Sequence, residues 1–528
     1  MIAKLRNKLN FTSALVATTL LFSQVQSVHA TDVTITSDTG TTVTNSVTLD
    51  NFTNSATITI SDGSDGVQNS GTITTFTNSG TIIGGDDGIQ NTGTITSLIN
   101  SGSITGTYGV YTGSGSTLTT ITNSGTISGT LHGIFMPGMV GKTTNIINSG
   151  TISGTTAIYS TGTANLTLNK GSVLIGDLNV ASGTLNITSN VGASKSYAYS
   201  TSGAGTITIN DLNNRPAISG SAYAVNIGSM EMAGENLYQN TSNIIDAVDS
   251  NINTAETWVR PYYSESSRDA EGDSSAIRKF KNTKQGFTAG GAVKNSEIPL
   301  QFILNVDQSE NNIDSGEHKI DSNSITLGLV APNFNKVGDY NLSLKGLIGY
   351  SKNDTDRKIL DNTSSTGERV ITGDYNSFNA IVGASLAKTI NLDNGVKANI
   401  TIGADVVSEM RDSFSESLYF SYDKLNLVQL QPKIQSEFVK TLNNTSNAFV
   451  KVGVEARELL SGKTQDFSAN SIKTSYTTPT TNDVYGTVVV GFNSKINNTI
   501  NLFAEASAKN SGEEVSTYQA SIGIKGTF

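Results

Sequence analysis

The chain has 528 residues, a formal net charge of −10 and no cysteine. This length allows two or more domains. The acidic balance argues against nucleic-acid binding, which needs a basic surface, and the lack of cysteine excludes disulfides. Hydrophobic residues make up only 36% of the chain, which is low for an ordinary globular core but suits a repeat protein or a membrane barrel.

Residues 1–30 have the features of a secretory signal peptide. Lys4, Arg6 and Lys8 form a positive segment, an interrupted apolar stretch follows, and Val28-His29-Ala30 is an acceptable cleavage site. We predict export through an inner-membrane secretion translocon and cleavage after Ala30. No segment reaches 18 consecutive apolar residues, so a membrane-embedded form of this protein would have to span the bilayer with strands.

A short motif, Asn-Ser-Gly-Thr-Ile or a close variant, recurs through the first half of the chain. It falls into two series, one with steps of 24, 22, 23 and 25 residues and one with a step of 22. A second marker, Gly or Ala followed by Val or Ile, recurs with steps of 22, 21, 24 and 24. The repeat period is therefore about 23 residues. The motifs begin at Asn54, Asn78, Asn100, Asn123 and Asn148 and at Asn69 and Asn91.

This period predicts a right-handed parallel β-helix over residues 31–228, with about eight coils stacked about 4.8 Å apart. Glycine would permit positive φ at the corners, and asparagine would bond corner backbone groups. Propeller blades and leucine-rich repeats need other periods or spacings. The core is expected to contain the isoleucines of the motifs, namely Ile73, Ile82, Ile95, Ile104, Ile127 and Ile152.

The repeat surface is nearly neutral and rich in Ser and Thr, which fits either a solvated face or an adhesive one. Segments 61–66 and 84–88 are rich in Asp and Gly. They lack the fixed spacing of repeated calcium-binding nonapeptides, so we expect solvated corners and no metal. A Ser-His-Asp triad would have to use His132, for which a structural role is expected instead. We therefore predict neither an enzyme nor a cofactor.

Residues 229–256 are predicted to form a linker with a helix. Apolar residues recur at helical spacing, and Ser229 is a plausible N-cap. The helix would be about 30 Å long, enough to cross a bilayer core, but it is too polar to face lipid. It could lie inside a barrel or pack on one end of it. The apolar positions are Met230, Ala233, Leu237, Ile244 and Val248.

Residues 257–528 are predicted to form a transmembrane β-barrel of twelve antiparallel strands. Short connections at 295–297, 391–394 and 495–497 alternate with long polar ones, as in outer-membrane barrels. Tyr340 and Tyr350 lie on one face about 25 Å apart, the height of an apolar band. The long connections are 267–283, 352–374, 409–426 and 459–481. The strands centre on 257–266, 284–294, 298–308, 320–331, 339–351, 375–389, 395–408, 427–440, 446–458, 482–494, 498–508 and 516–528.

The last strand has a strict two-residue period. Even positions are aromatic, aliphatic or small and odd positions are polar or Gly, so one face is apolar and the other is wet. The chain then ends on an aromatic residue. The pattern is similar to the C-terminal strand of outer-membrane barrels, which barrel-assembly machinery reads as an insertion signal. The residues that carry this prediction are Tyr518, Ile522, Ile524 and Phe528.

Together, the signal peptide, the repeats and the C-terminal barrel resemble the monomeric (type V) autotransporters of Gram-negative bacteria. Trp258, Arg260 and Pro261 match the first strand of their translocator domain. The resemblance implies a barrel in outer-membrane lipid, a linker helix in its pore and a passenger on the cell surface. A trimeric relative would supply only a few strands per subunit, so we expect a monomer. Some members of that family cleave themselves at an Asn pair within this helix. Here the pair Asn213-Asn214 lies upstream of the helix, which argues against self-cleavage.

The sequence therefore predicts an outer-membrane autotransporter that displays its repeats as an adhesin or surface-interaction protein with an unknown ligand. The alternative is an outer-membrane channel whose N-terminal segment plugs it or lies in the periplasm. The two differ in the side of the membrane on which the repeats lie.

Overall fold

The computed structural model describes residues 32–213, 216–218, 223–224, 232–252, 256–269, 278–477, 482–512 and 514–526. The predicted cleavage site at Ala30, the predicted N-cap Ser229 and the terminal Phe528 lie outside these ranges. Contacts divide the chain into two units, residues up to 226 with 358–369, and residues 227–357 with 370–528. Among the described residues, no helix is both long enough and apolar enough to cross a bilayer.

The first unit contains a parallel β-helix, and its strands between residues 32 and 224 are short. They are β1 (Val33–Ile35), β2 (Val43–Asn45), β3 (Thr48–Asn54), β4 (Thr57–Thr59), β5 (Val67–Asn69), β6 (Thr72–Asn78), β7 (Thr81–Ile83), β8 (Asp87–Asn91), β9 (Thr94–Asn100), β10 (Ser103–Thr112), β11 (Thr117–Asn123), β12 (Thr126–Met136), β13 (Thr143–Asn148), β14 (Thr151–Ser160), β15 (Thr163–Asn169), β16 (Val173–Val180), β17 (Thr184–Asn190), β18 (Ser196–Ala198), β19 (Thr201–Ser202), β20 (Thr206–Asp211), β21 (Ala217–Ile218) and β22 (Tyr223–Ala224).

Two sheets form the walls of this helix. One stacks nine strands in the order β1-β3-β6-β9-β11-β13-β15-β17-β20, and the other stacks β2-β5-β8-β10-β12-β14-β16-β19 with β4 and β7 alongside. Each strand pairs in parallel with its counterpart one repeat later, so like residues lie above one another: Phe52 is paired with Phe76, and Phe76 with Leu98. The motif isoleucines named above are all 0% exposed, which confirms their predicted place in the core.

The two motif series become two ladders of buried asparagines. Within a ladder, each Asn Nδ2 donates to the Oδ1 of the next Asn at 2.8 Å. Nδ2 atoms in both ladders also donate to the carbonyl two residues on, such as that of Val47 or Ala56. A buried amide group needs hydrogen-bond partners. Asparagine is favoured at this position in every coil because its side chain can both donate to and accept from the asparagines of the neighbouring coils. The ladders are Asn45-Asn69-Asn91 and Asn54-Asn78-Asn100-Asn123-Asn148.

The motif needs glycine because the backbone of the neighbouring coil lies too close for a side chain. The prediction that these glycines adopt a positive φ was wrong. The residues with positive φ include Gly63, Gly115 and Gly141, but not the motif glycines. A Cβ on Gly102 would instead lie 1.9 Å from the carbonyl oxygen of Gly80 in the coil below. The chain turns so tightly onto its neighbour at this corner that any side chain would displace backbone.

The second unit contains one described α-helix, α1 (Ala233–Asn251), followed by strands and two 3₁₀ turns (Asp314–Gly316 and Asp393–Gly395). The strands are β23 (Thr257–Arg268), β24 (Phe280–Ala292), β25 (Gln301–Ile313), β26 (His318–Val337), β27 (Tyr340–Asp361), β28 (Glu368–Asn391), β29 (Val396–Arg411), β30 (Phe414–Ser415), β31 (Phe420–Tyr422), β32 (Leu425–Thr441), β33 (Ser446–Ser461), β34 (Thr464–Ala469), β35 (Ile472–Thr477), β36 (Asp483–Lys495), β37 (Ile500–Ser511) and β38 (Val515–Gly526).

Twelve of these strands form a closed antiparallel barrel, and all twelve predicted strands are found. Their order is β27-β26-β25-β24-β23-β38-β37-β36-β33-β32-β29-β28, and β28 pairs with β27 to close the ring. Side chains alternate as predicted. On β38, Tyr518, Ile522 and Ile524 are 58%, 65% and 46% exposed, whereas Gln519 and Ser521 are buried inside. The outer face is therefore apolar and the lumen is polar, the reverse of a soluble protein.

Three of the predicted long loops contain strands. The hairpin of β27 and β28 extends through most of 352–374, because the alternation of buried and exposed residues continues there. Segments 409–426 and 459–481 contribute β30, β31, β34 and β35 to a separate four-stranded sheet. Aromatic side chains pack on one another in this sheet, and the ring centroids of Phe414 and Tyr422 are stacked 4.6 Å apart.

Replacing Gly102 by Ala is expected to destabilise the β-helix by about 3 kcal/mol, since the new Cβ meets a neighbouring carbonyl and the coils must separate. The full-length protein in detergent would be titrated with urea, with passenger unfolding followed by limited proteolysis. Gly40→Ala is the matched control, because its Cβ would lie 3.9 Å from the nearest atom. Equal urea midpoints for the two variants would contradict the close-approach explanation.

Candidate functional site

The helix α1 lies lengthwise inside the barrel. Its side chains bond to β23 in reverse order, with Gln239 Oε1 accepting from Ser266 Oγ at 2.6 Å and Asn243 Nδ2 donating to Ser264 Oγ at 2.8 Å. Other bonds reach strands β24, β25, β27, β32, β33, β36 and β37. Almost every residue of the helix is buried. Of the two predicted placements, the helix inside the barrel is the one observed.

One carboxylate anchors the N-terminal turn of the helix. Glu235 is 2% exposed and receives Arg457 Nη1 at 2.5 Å and Arg268 Nη2 at 3.2 Å. Gln239 Nε2 donates to it at 2.7 Å, and the Tyr485 hydroxyl donates at 3.3 Å. These partners come from the helix and from three separate strands, so one side chain ties the helix to distant parts of the wall.

A second group of charges holds the C-terminal turns. Asp249 accepts from Lys345 Nζ at 2.7 Å and from Lys433 Nζ. Asp405, on the barrel wall, lies 3.0 Å from Lys345 and 2.8 Å from Lys433. Two acids and two bases alternate here, which makes the buried group neutral and supplies each charge with partners.

The predicted residues of the first barrel strand lie at the seam where β23 meets the last strand. Trp258 is 1% exposed and covers Gly290, where a Cβ would lie 2.6 Å from its ring. Arg260 donates Nε to Ser521 Oγ on β38 at 3.1 Å and pairs with Glu505 at 2.8 Å. Pro261 faces outward, and the pairing of β23 with β38 skips positions 260–261, since proline has no N–H to donate.

The β-helix carries a cluster of five half-buried rings, here called the aromatic face: Tyr108 and Tyr111 on β10, His132 and Phe135 on β12, and Tyr159 on β14. Phe135 is central, with ring centroids 4.5 Å from His132, 4.6 Å from Tyr108 and 5.0 Å from Tyr159. Burial lowers the pKa of His132. Its ring is thus a neutral member of a stack.

Beside the aromatic face, at the same position of preceding coils, lie three carboxylates, here called the acidic corner: Asp65, Asp86 and Asp87. The two Asp-rich segments that seemed separate in sequence meet here, and Asp87 is paired with Tyr108 in the next coil. Burial, together with the neighbouring Asp65 and Asp86, raises the pKa of Asp87 to about 7. Like charges are therefore held close in a poorly solvated place.

Sequence reasoning missed both features, although a signal was present. The marker dipeptide, Gly or Ala followed by Val or Ile, is flanked by Asp and Gln in the first two coils. Aromatic or His residues flank it in the next two coils, and Thr and Tyr flank it in the one after. Reading these flanks down the repeat would have revealed both the acidic corner and the aromatic face. His318 begins β26, where it is 4% exposed and bonds to Thr355 at 2.7 Å.

Comparisons with known proteins concern the barrel. The autotransporter β-domain family matches residues 257–507, and no curated protein matches the chain. The translocator domain of NalP from Neisseria meningitidis is similar, with 17% identity and a TM-score of 0.45 over 57% of this chain and 99% of that one. The transport unit of AIDA-I from Escherichia coli is similar at 11% identity, with a TM-score of 0.38 over 57% of this chain and 99% of that one. The β-domain of Bordetella Brka is similar at 12% identity, with a TM-score of 0.36 over 52% of this chain and 99% of that one.

The family match spans β23 to most of β37, including the seam residues Trp258, Arg260 and Pro261. Residues 257–507 are therefore an autotransporter β-domain.

Proposed function

We propose that this protein inserts its barrel in the outer membrane and displays its β-helix on the cell surface. The direction of α1 carries this proposal. Its N-terminal Glu235 bonds to Arg268, Arg457 and Tyr485, which lie where β23 and β33 end and β36 begins, next to long connections. Long connections of outer-membrane barrels are extracellular, so the chain that precedes the helix would leave the barrel on the outside.

Passage across the outer membrane would need no separate exporter. The chain would cross the inner membrane through the secretion translocon, and the barrel-assembly machinery would read the terminal strand through Tyr518, Ile522, Ile524 and Phe528. The passenger would then pass out led by its C-terminal end. Each coil that stacks outside buries apolar side chains that the extended chain exposes, so folding favours outward movement.

The passenger would act by binding, as an adhesin, and not as an enzyme. The aromatic face supports this role, because aromatic side chains are enriched in protein interfaces and supply much of their binding energy. The five rings lie on three successive coils of a stiff scaffold, and mutual stacking fixes their positions before any partner arrives. His132 stacks with its neighbours in this cluster.

The side of the membrane separates this proposal from the alternative of a channel with a periplasmic N-terminal domain. Intact cells would be treated with protease and probed separately for residues 31–228 and for the barrel. We expect loss of the repeats with a protected barrel. Repeats that survive until the outer membrane is permeabilised would favour the channel.

Glu235→Ala is expected to loosen the helix in the barrel, because Arg268 and Arg457 lose the carboxylate they share. Removing one partner of a buried charge group typically costs about 3–5 kcal/mol. Purified protein in planar bilayers should then show larger and noisier ion conductance than the wild type. Glu265→Ala is the control, since its pair with Lys281 is exposed. Conductance of Glu235→Ala equal to that of this control would contradict a sealing role for the helix.

Tyr111→Ala with Phe135→Ala is expected to weaken adhesion at least tenfold, about 1.4 kcal/mol, since anchor rings contribute most to interfaces. Cells with matched surface levels would be tested on a glycan array and on immobilised matrix proteins. Ile147→Ala, on the other sheet and 37% exposed, should bind as the wild type does. Undiminished binding by the double variant would place the adhesive surface elsewhere.

A further inference from the structure

The acidic corner joins two coils of the β-helix. Asp65 precedes β5 and Asp87 begins β8, and the strands pair in register with Val67 beside Ile89, so the two carboxylates occupy the same position one coil apart. Asp86 adds a third carboxylate. One oxygen from each of the three lies within 4.8 Å of the others.

The hydrogen bonds of this corner leave one buried oxygen without a donor. Asp65 is satisfied, since Oδ1 accepts from the Asp87 N–H at 3.0 Å and Oδ2 from Gln68 Nε2 at 2.8 Å. Asp87 is only 2% exposed, and its Oδ2 has a long contact of 3.5 Å from Gln90. Its Oδ1, which is also buried, receives no hydrogen bond from any described residue. A buried anionic oxygen without a donor is strongly unfavourable unless a positive partner is supplied.

No side chain of the β-helix supplies that charge. Between residues 32 and 213 the only cationic residues are Lys142, Lys170 and Lys195. All three follow β12, at least two coils beyond Asp87, and Lys142 donates to the carbonyls of Gly115 and Ser116. The corner therefore gathers three carboxylates while lacking a protein cation.

We propose that Asp65, Asp86 and Asp87 bind a calcium ion. All three ligands are oxygens, which hard divalent cations prefer. Ca²⁺–oxygen distances are about 2.3–2.6 Å, so ligand oxygens within 4.8 Å of one another can surround one ion without movement of the backbone. Asp65 and Asp87 are buried, whereas Asp86 is exposed, which leaves an open side for the water molecules that complete a calcium shell.

A bound ion would link consecutive coils near the N-terminal end of the stack. Ligands from both coils would be fixed at one point, which strengthens a nearest-neighbour contact in an architecture whose stability is a sum of such contacts. This inference differs from the sequence-based expectation of solvated corners. The fixed spacing of repeated calcium motifs is absent along the chain, but stacking by one repeat brings two unlike segments together.

Equilibrium dialysis of the full-length protein in detergent with ⁴⁵Ca²⁺ tests the proposal. We expect one site with a dissociation constant on the order of 10⁻⁴ to 10⁻³ M, the range of extracellular calcium modules. Asp87→Asn should raise the dissociation constant at least tenfold. Asp86 is exposed, so Asp86→Asn should leave folding unchanged, and it should also weaken binding at least tenfold. Asp50→Asn, an exposed acid on β3, is the control and should bind as the wild type does.

Thermal unfolding of the passenger provides a second readout. Addition of CaCl2 should raise the unfolding temperature of the wild type and of Asp50→Asn but not of Asp86→Asn. The same gain with MgCl2, or with NaCl at matched ionic strength, would mean screening of charge and would overturn the calcium assignment. Absence of binding at 10 mM CaCl2 (roughly tenfold above the weakest expected dissociation constant), or equal binding by Asp86→Asn and the wild type, would overturn the site itself.

Discussion

The spacing of about 4.8 Å between stacked strands is the constraint on which the β-helix depends. At that distance a residue in one coil contacts its counterpart in the next. Each position must therefore carry a residue that can stack on a similar residue above and below it. Asparagine meets this condition because its amide donates upward and accepts from below, as in the chain from Asn54 to Asn148. Glycine meets it at Gly102 by having no side chain to collide with Gly80.

In the barrel the positions of apolar and polar side chains are reversed, because its apolar side faces outward and its lumen is lined by polar groups. The helix α1 buries Glu235, Gln239 and Asn243 among these polar groups, and its Leu237 belongs to an apolar cluster that includes Ile303 of the wall. Buried charges are tolerable only when paired. The helix accordingly brings Glu235 to two arginines and Asp249 to two lysines, so these ion pairs anchor it to the barrel wall.

Much of this architecture could be read from the sequence because period and alternation are local patterns. All twelve barrel strands follow from two-residue alternation, and the core isoleucines follow from the repeat. The four-stranded sheet of β30, β31, β34 and β35 did not, because its strands are only two to six residues long and come from two separate connections. The acidic corner depends on a register of 22 residues between Asp65 and Asp87, which becomes visible only when the coils are aligned.

The position that carries the acidic corner and the aromatic face also shows how such a passenger can acquire a specific surface. The marker dipeptide packs inward, with Val67, Ile89, Val110 and Ile134 all 0% exposed, so stacking restricts it to small or β-branched residues. Its flanking residues lie outside this apolar core and differ from coil to coil. They change from Asp and Gln to Tyr, His and Phe within a few repeats while the backbone register is maintained. The scaffold thus fixes where each flanking side chain lies without fixing which residue it is, and binding properties can change by substitution there at little cost to the fold.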